Sequence, residues 1–390
     1  SRKSTARAFH DLEPDGANFH NFSYMSMVSN YVLMMFYTTI AGWMILYFVK
    51  MATGQFDGLN SDQVGEAFSH MLGQPVLMTV FMAIAVLLCF GICAKGLQKG
   101  VERITKVMMV CLLSLMVVLA VRSVLLPGGQ EGLKFYLYPD FGKVKEAGIG
   151  EVVYAAMGQA FFTLSIGIGA LAIFGSYIGK ERALTGEAVS ICVLDTLVAL
   201  MSGLIIFPSC FAYNVQPDSG PSLIFITLPN VFNAMAGGRL WGTLFFLFMT
   251  FASLSTVIAV FENIISFTMD LKGWDRKKAV LINLVGVLVL SMPCVLGYNV
   301  WSGITPLGAG STILDLEDFI VSNNLLPLGS LVYLLFCTTK LGWGYENFLK
   351  ETNTGKGMKF PRQIAFYVKY ILPLIVLFIF VMGYYTKFFA

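Results

Sequence analysis

The sequence predicts an all-α integral membrane protein. Of its 390 residues, 56% are hydrophobic and only 13% are charged, and the mean hydropathy is +0.73. A soluble domain usually carries about a quarter of charged residues. Long apolar runs also do not fit the short alternating strands of a β-barrel. Nine stretches approach or exceed the roughly 20 residues that a helix needs to cross a bilayer, at about 26–49, 77–94, 106–126, 152–177, 186–208, 240–268, 279–298, 313–337 and 363–386.

The remaining composition narrows the class of function. Seven cysteines are scattered without a CxxC pair or a Cys/His cluster, which argues against a metal centre or a disulfide framework. The histidines His10, His20 and His70 lie near or outside the predicted membrane ends, so a haem core has no support. A net charge of +3 is too small to indicate nucleic-acid binding. No Ser/His, paired-Asp or HExxH constellation is evident, and we expect no catalytic residue and no enzyme activity.

The distribution of lysine and arginine predicts the orientation in the membrane. With the N-terminal end in the cytoplasm, 19 of the 26 basic residues fall in inside segments. The C-terminus is then outside, and residues 1–390 form one multi-pass transmembrane domain of the cell inner (plasma) membrane. In the outer connection 209–239, the apolar runs LIFITL and VFNAM favour a short helical hairpin over the outer face. An ordinary surface loop is the alternative.

The most informative run is GQAFFTLSIGIGA, residues 158–170, in the middle of the stretch 152–177. Its centre carries Gln159, Thr163, Ser165 and three glycines. Lipid cannot hydrogen-bond a freed backbone carbonyl, so a helix interrupted here must face protein, water or a ligand. Broken helices of this kind hold the cargo of ion-coupled transporters. A close-packing face of small residues is the alternative, although packing requires no such polarity.

Asp195 is the sharpest single residue, because it lies near the middle of the fifth predicted span, where 190–207 is otherwise nearly uncharged. An acid at this depth is costly unless it is paired or neutralised, and by default it indicates a functional site. A carboxylate among hydroxyls and carbonyls suits Na⁺ or a proton. The alternative is a protonated side chain that hydrogen-bonds to a neighbouring helix.

Two further spans carry polar side chains at depth. In FASLSTVIAVFE, residues 251–262, Ser255 and Thr256 are adjacent, so their hydroxyls point about 100° apart on a helix. One hydroxyl can therefore serve an ion while the other faces cargo. Tyr37, within MMFYTTIAGWM, is placed to offer its hydroxyl to a ligand carboxylate or carbonyl. Helix packing through small residues and an aromatic belt are the respective alternatives.

These motifs resemble, in order and spacing, the neurotransmitter:sodium symporter family in its bacterial amino-acid-transporter branch. GQAFFTLSIGIGA resembles the unwound sixth helix of the family, and ASLSTVIAV resembles the eighth. LDLEDF resembles the tenth helix, KGVERITKVMM the start of the fifth, and GMKFPRQIAFYVKYILP the eleventh. The match extends over essentially the whole chain.

The resemblance implies a fold of two five-helix inverted repeats, with a site near the midplane where the first and sixth helices break. The start of the chain, SRKSTARAFHDLEP, resembles the cytoplasmic loop after the second helix. We therefore expect the nine spans to be family helices three to eleven. The first two helices of the family are then absent from this chain.

The resemblance also implies the residues that bind cargo. Tyr37 would donate to the carboxylate of an amino acid and, with Phe162, form a thin outer lid. The apolar side chains suit a hydrophobic or neutral amino acid of medium volume. The pocket implied by the family comprises Leu33, Tyr37, Phe162, Thr163, Ser165, Ile168, Thr256 and Val260.

Two sodium sites are implied in the same way. Thr163 and Asp195 match positions of the first site. The second site matches the Ala252 carbonyl and the hydroxyls of Ser255 and Thr256. Many family members have Asn at the position of Asp195 and balance charge with chloride or with an acid one turn on, where this chain has Ala199. We therefore expect chloride not to be required, although Gln159 matches the chloride-side glutamine.

The gates follow from the same resemblance. Tyr177 and Asp270 match the inner gate, and Asp318 matches the outer gate. Each gate normally uses an Arg from the first helix of the family. Val110 stands where many bacterial members have a proline, so the inner release route is expected to open differently.

The function implied is sodium-coupled symport of neutral, hydrophobic amino acids by alternating access, without covalent chemistry or an organic cofactor. The expected partners are a small amino acid, membrane lipid and, as an open option, further copies of the chain. A membrane scaffold or sensor derived from a transporter is the alternative. For the 390-residue chain alone we expect no transport. A channel would require a continuous polar stripe, whereas the polar residues cluster at one depth.

Overall fold

A computed structural model describes residues 3–96, 101–217 and 220–388, and every regular element in these ranges is helical. One isolated β-bridge joins the loops at Arg182 and Lys356. The helices are α1 (Thr5–Leu12), α2 (Phe22–Ala52), α3 (Ser61–Leu72), α4 (Pro75–Ala94), α5 (Arg103–Val124), α6 (Gly129–Leu137), α7 (Phe141–Ala147), α8 (Ile149–Thr163), α9 (Ala170–Tyr177), α10 (Leu184–Ala212), α11 (Gly220–Ser222), α12 (Leu228–Ala234), α13 (Gly238–Lys272), α14 (Arg276–Leu296), α15 (Ile313–Asp318), α16 (Leu326–Thr338), α17 (Tyr345–Thr352) and α18 (Leu372–Phe388).

Eight helical segments in the described ranges are long and apolar enough to cross a membrane. They are built on α2, α4, α5, α10, α13, α14, the continuous pair α15–α16, and α18. The predicted all-α membrane fold is thus confirmed. Eight of the nine predicted spans correspond to these segments, and the ninth, 152–177, is interrupted as the sequence predicted. It is divided into α8 and α9, and each half is shorter than a bilayer crossing requires.

Three wide π-helical turns let long helices continue through prolines. A proline ring clashes with the carbonyl four residues earlier in an α-helix, and in each case that carbonyl lies within the widened turn. The turns are Leu223–Thr227, Phe319–Leu325 and Tyr367–Ile371, and the prolines that follow them are Pro229, Pro327 and Pro373.

The first of these π turns makes the structure of the connection 209–239 differ from the prediction. LIFITL and VFNAM lie in one helical segment, because α11, the π turn and α12 follow each other without a break from 220 to 234. The predicted helical hairpin is therefore wrong, and so is the ordinary loop. The segment packs onto α13 and α3 through buried side chains such as Phe225 and Phe232.

The core is centred on α2 and α13, which pack along each other and against α4 and α14. Near one end of α2, Trp43 and Tyr47 lie in a fully buried aromatic cluster. The ring centroids of Tyr47 and Phe225 are 4.8 Å apart, and Phe68 stacks on Phe225 at 5.4 Å. Such pairs add to the apolar area that they bury. This cluster fixes α2, which carries two of the predicted cargo residues.

A buried ion pair joins the C-terminal half of α13 to α14 and α4. Glu262 on α13 is 1% exposed in its side chain and pairs through both oxygens with Arg276 on α14, with Nη1 to Oε1 at 3.1 Å. The Nε of Arg276 donates to the Cys93 carbonyl at the end of α4, at 2.8 Å. A buried charge of this kind is stable only because it is paired and hydrogen-bonded.

Candidate functional site

Between α8 and α9 the backbone leaves helical geometry at residues 164–169. Ser165 has a φ of +49°, Gly167 of +96° and Gly169 of +83°. A positive φ at a residue other than glycine is uncommon and costs on the order of 1 kcal/mol or more. The interruption is therefore built into the backbone at the run that the sequence singled out.

Gly167 is required where the break packs against α16. A Cβ at Gly167 would lie 2.5 Å from the carbonyl oxygen of Leu326 and 2.6 Å from the amide nitrogen of Ser330. The contact is reciprocal, because a Cβ at Gly329 would lie 2.4 Å from the Gly167 carbonyl oxygen. Backbone meets backbone here, so only glycine fits on either side.

The Ile168 carbonyl, which the break frees from helical bonding, is held by three buried side chains. Ser26 Oγ donates to it at 2.6 Å and Asn30 Nδ2 at 2.7 Å, both from α2. Asn263 Nδ2 on α13 reaches it at 3.4 Å and also donates to Asn30 Oδ1 at 2.9 Å. All three side chains are at most 2% exposed. We call Ser26, Asn30 and Asn263 the carbonyl clamp.

Sequence reasoning missed the carbonyl clamp. The available signal was an amide side chain inside an otherwise apolar span, once in α2 and once in α13. Such groups in a membrane span almost always face protein and find partners there. Their common target was not readable from the sequence, because it depends on how α2 and α13 cross the break.

A cavity of about 180 Å³ lies beside the break. Seven of the eight predicted cargo residues line it, namely Leu33, Tyr37, Phe162, Thr163, Ser165, Ile168 and Thr256. The eighth, Val260, is 2% exposed and lies one helical turn beyond Thr256, in the core of the bundle. Gln159 also lines the cavity, as do Val321 and Leu326. The last two were not predicted, because apolar residues in an apolar span give no signal.

The cavity has polar and apolar parts. Tyr37 on α2 and Thr256 on α13 both line the cavity, so these two helices each contribute a hydroxyl to it. Leu33, Val321 and Leu326 supply apolar lining. This combination of an apolar wall with a few convergent polar groups is typical of small-molecule sites.

Next to the cavity, α8 and α10 are joined by Thr163 and Asp195. Thr163 Oγ1 donates to Asp195 Oδ1 at 2.9 Å. One turn further on α10, Ala199 offers no charge, and its carbonyl accepts a hydrogen bond from the Tyr136 hydroxyl at 3.3 Å. The structure thus brings the two residues predicted for a first sodium site into direct contact.

The three residues predicted for a second sodium site lie within one turn of α13. Ser255 Oγ donates to the Ala252 carbonyl at 2.8 Å, and Thr256 Oγ1 donates to the same carbonyl at 3.3 Å. A hydroxyl that donates keeps lone pairs for a cation. The carboxylate, hydroxyl and carbonyl oxygens of both sets are the ligands that hard cations take.

The predicted gate residues lie at different places. The Asp270 carboxylate accepts a hydrogen bond from the backbone nitrogen of Ser4 at 2.9 Å. The Asp318 carboxylate accepts from the Ser322 hydroxyl on the next turn at 2.7 Å. Tyr37 and Phe162, the predicted lid, both line the cavity. The side chain of Tyr177 lies outside the described part of the structure.

Comparison with known families decides the identity of the fold and site. A model described as the sodium:neurotransmitter symporter family matches residues 63–388. The chain belongs to this family. The family and its relatives are sodium-dependent membrane transporters, so this chain is a sodium-using, multi-pass membrane protein and not an enzyme.

Individual relatives agree with the family. The sodium-dependent transporter YhdH of Bacillus subtilis (strain 168) is 35% identical over 365 residues, covering 92% of this chain and 78% of its own. A sodium-dependent transporter of Haemophilus influenzae is 32% identical over 363 residues, with the same two coverages. Among solved structures, MhsT in complex with L-phenylalanine matches with a TM-score of 0.86 and 32% identity, covering 98% of this chain and 85% of that one.

Proposed function

We propose that the protein couples sodium binding to the transport of neutral, hydrophobic amino acids by alternating access. The observation that carries this proposal is the position of the 180 Å³ cavity directly beside the Thr163–Asp195 contact. Cargo and ion would share the residues of one broken helix. The solved relative MhsT, which binds L-phenylalanine, supports an amino acid of similar character.

The cavity residues have separate tasks in this proposal. Tyr37 and Thr256 present hydroxyls to the carboxylate of the amino acid, and Tyr37 with Phe162 closes the outer side. Leu33, Val321 and Leu326 remove the cargo side chain from water, which stabilises binding by about 25 cal/mol per Å² of buried apolar area. A charged cargo side chain would have no buried partner on this wall, so selection against it follows.

Sodium binding would order both sides of the cavity. Thr163 belongs to the cargo lining and to the first ion set, with Asp195. Thr256 belongs to the cargo lining and to the second ion set, with Ala252 and Ser255. A shared residue makes the affinity for each ligand depend on the other, which is the thermodynamic content of coupling.

Chloride would not be needed. The carboxylate of Asp195 supplies the negative charge next to the first sodium site, and Gln159 remains a neutral lining residue. We expect replacement of chloride by gluconate to leave sodium-driven uptake unchanged. A large loss of uptake would overturn this part of the proposal.

The orientation follows from the basic residues, with the N-terminal end in the cytoplasm and the C-terminus outside the cell membrane. Asp270 would then act at the inner side and Asp318 at the outer side. The apolar outer faces of α5, α10 and α18 suit contact with lipid, and the proposal leaves room for a homo-oligomer.

The proposal is tested by uptake of labelled phenylalanine into liposomes that contain the protein expressed from its natural coding sequence. We expect uptake with an inward sodium gradient and none when choline replaces sodium. Competition by leucine but not by lysine would support the apolar pocket. A correctly folded protein that binds no amino acid, with or without sodium, would instead support the scaffold or sensor.

A further inference from the structure

Glu317 is a buried carboxyl group that the proposed transport cycle does not use. It lies on α15, one turn after the helix begins, and is 3% exposed. Neither carboxyl oxygen has a hydrogen-bond partner, and no ion pair reaches it, among the described residues. Glu262 is equally buried but is paired with Arg276. Glu317 therefore lacks the compensating cation that Glu262 has.

The neighbours of Glu317 are neutral or acidic. From α14 and the turn that follows it come the Cys294 thiol and the Tyr298 hydroxyl, and Asp315 is the nearby acid of its own helix. From α2 comes Thr39, which contacts the same Cys294 thiol. The buried Thr39 hydroxyl has no other hydrogen-bond partner among the described residues. The next residue, Asp318, accepts a hydrogen bond from Ser322 and is itself an acid, so it does not compensate a charge on Glu317.

An ionised carboxylate is not stable in this setting. Moving an unpaired charge from water into an apolar interior costs far more than a folded protein can offset, so the group takes up a proton instead. The neutral acid has an O–H that can be donated to the Cys294 thiol beside it. Packing of α15 on α2 and α14 therefore requires the acid form.

We propose that Glu317 is a proton-binding site coupled to the packing of α15 against α2 and α14. The carboxylate takes up one proton from water as α15 packs against these helices, and holds it as the O–H of the neutral acid while they stay packed. On separation the proton returns to water. The site lies beside the last turn of α14, whose C-terminal end the proposed orientation places outside.

The direction of the pH effect follows. Because only the acid form packs, raising the pH favours the separated arrangement, and lowering it favours the packed one. Asp318, the proposed outer gate, is the next residue on α15, so the same motion would change the outer side of the cavity. The proposal rests on the proposed function for this last step alone.

The first test reads the proton directly and needs no transport. Infrared spectroscopy of the membrane-embedded protein at neutral pH is expected to show the C=O stretch of a protonated carboxylic acid. Labelling glutamate with ¹³C at the side-chain carboxyl should shift that band in the unmodified protein, and Glu317→Gln should remove it. If the labelled wild-type protein shows no acid band from glutamate, that result alone overturns the proposal, and no variant is needed.

The second test uses the pH dependence of sodium-driven amino-acid binding. Wild-type affinity is expected to fall several-fold between neutral and alkaline pH, and Glu317→Gln, which cannot ionise, should remove that fall. Glu66→Gln on α3, an exposed glutamate, should keep the wild-type profile. An unchanged profile in Glu317→Gln would contradict the coupling. If the acid band is present but the protein binds no amino acid, the proposed function fails while the proton site stands.

Discussion

Two walls of the candidate site, α2 with α13 on one side and α10 on the other, differ in burial and in how their polar groups are held. On α2 and α13, more than half of the most apolar stretch is buried, at 61% and 56%, and Asn30 and Asn263 bond to each other and to the Ile168 carbonyl. On α10 only 11% of that window is buried, and Asp195 bonds to Thr163 across to α8. The first wall is fixed by contacts within the chain. On the second, Asp195 is held by one hydrogen bond from Thr163.

This contrast also explains where the chain tolerates substitution. The fixed wall of α2 and α13 holds the break through the carbonyl clamp, and α16 adds the buried backbone contact at Gly167. The second wall holds it through one exposed hydrogen bond. We therefore expect changes at the fixed wall to affect folding and cargo together, and changes at Asp195 to affect the ion alone.

The largest effect is expected for Gly167→Val. The new Cβ would overlap the backbone of α16, and the positive φ of the glycine disfavours a β-branched residue. Sodium-driven uptake should be lost completely. Gly158→Ala on α8 is the matched control, because its Cβ meets no described atom within 4 Å. Normal uptake by Gly167→Val would mean that the break does not need its contact with α16.

The next effect concerns the buried pair at the end of α13. Arg276→Met leaves Glu262 buried without its cation, which should lower the free energy of unfolding by about 3–5 kcal/mol. Arg362→Met removes the partner of Glu346 from a pair that is 72% and 70% exposed, so it should cost no more than about 1 kcal/mol. Denaturant unfolding in detergent compares them. If both variants lose the same free energy of unfolding, burial of the Glu262–Arg276 pair does not determine its contribution to stability.

A smaller effect is expected for the carbonyl clamp. Asn30→Leu removes a bond to the Ile168 carbonyl and the shorter of the two bonds that Asn263 donates, at a cost of about 1–3 kcal/mol. Asn347→Leu removes an exposed bond to the Trp343 carbonyl within one turn and should be close to neutral. The difference should appear as a lower melting temperature and weaker cargo binding in Asn30→Leu only. Equal melting temperatures would show that the clamp is dispensable.

Much of the fold was predictable because apolar length decides membrane crossing. The run 158–170 also predicted the break correctly, since a polar run with three glycines cannot stay helical in lipid without partners. The outer segment 220–234 was not predictable in the same way. Its two apolar runs suggested a helical hairpin, whereas a π turn ahead of Pro229 lets one helix continue.

The residues of the candidate site also differ in how far they could be predicted from the sequence. Residues with a chemical signal, such as Asp195, Thr163 and Tyr37, could be selected from the sequence, and the family resemblance supplied their grouping. Val321 and Leu326 could not, because their place in the lining depends on the path of the chain after α15. Glu317 stood in the motif LDLEDF, but its lack of partners is visible only in three dimensions.

The central claim is that Asp195 supplies the charge for a sodium ion that orders the cavity. The most direct test is a sodium titration of amino-acid binding by purified protein, comparing wild type with Asp195→Asn. The sodium concentration for half-maximal binding should rise at least about tenfold in the variant, or ~1.4 kcal/mol. Ser190→Ala, whose hydroxyl bonds within α10, should match wild type. An unchanged sodium dependence in Asp195→Asn would contradict the account.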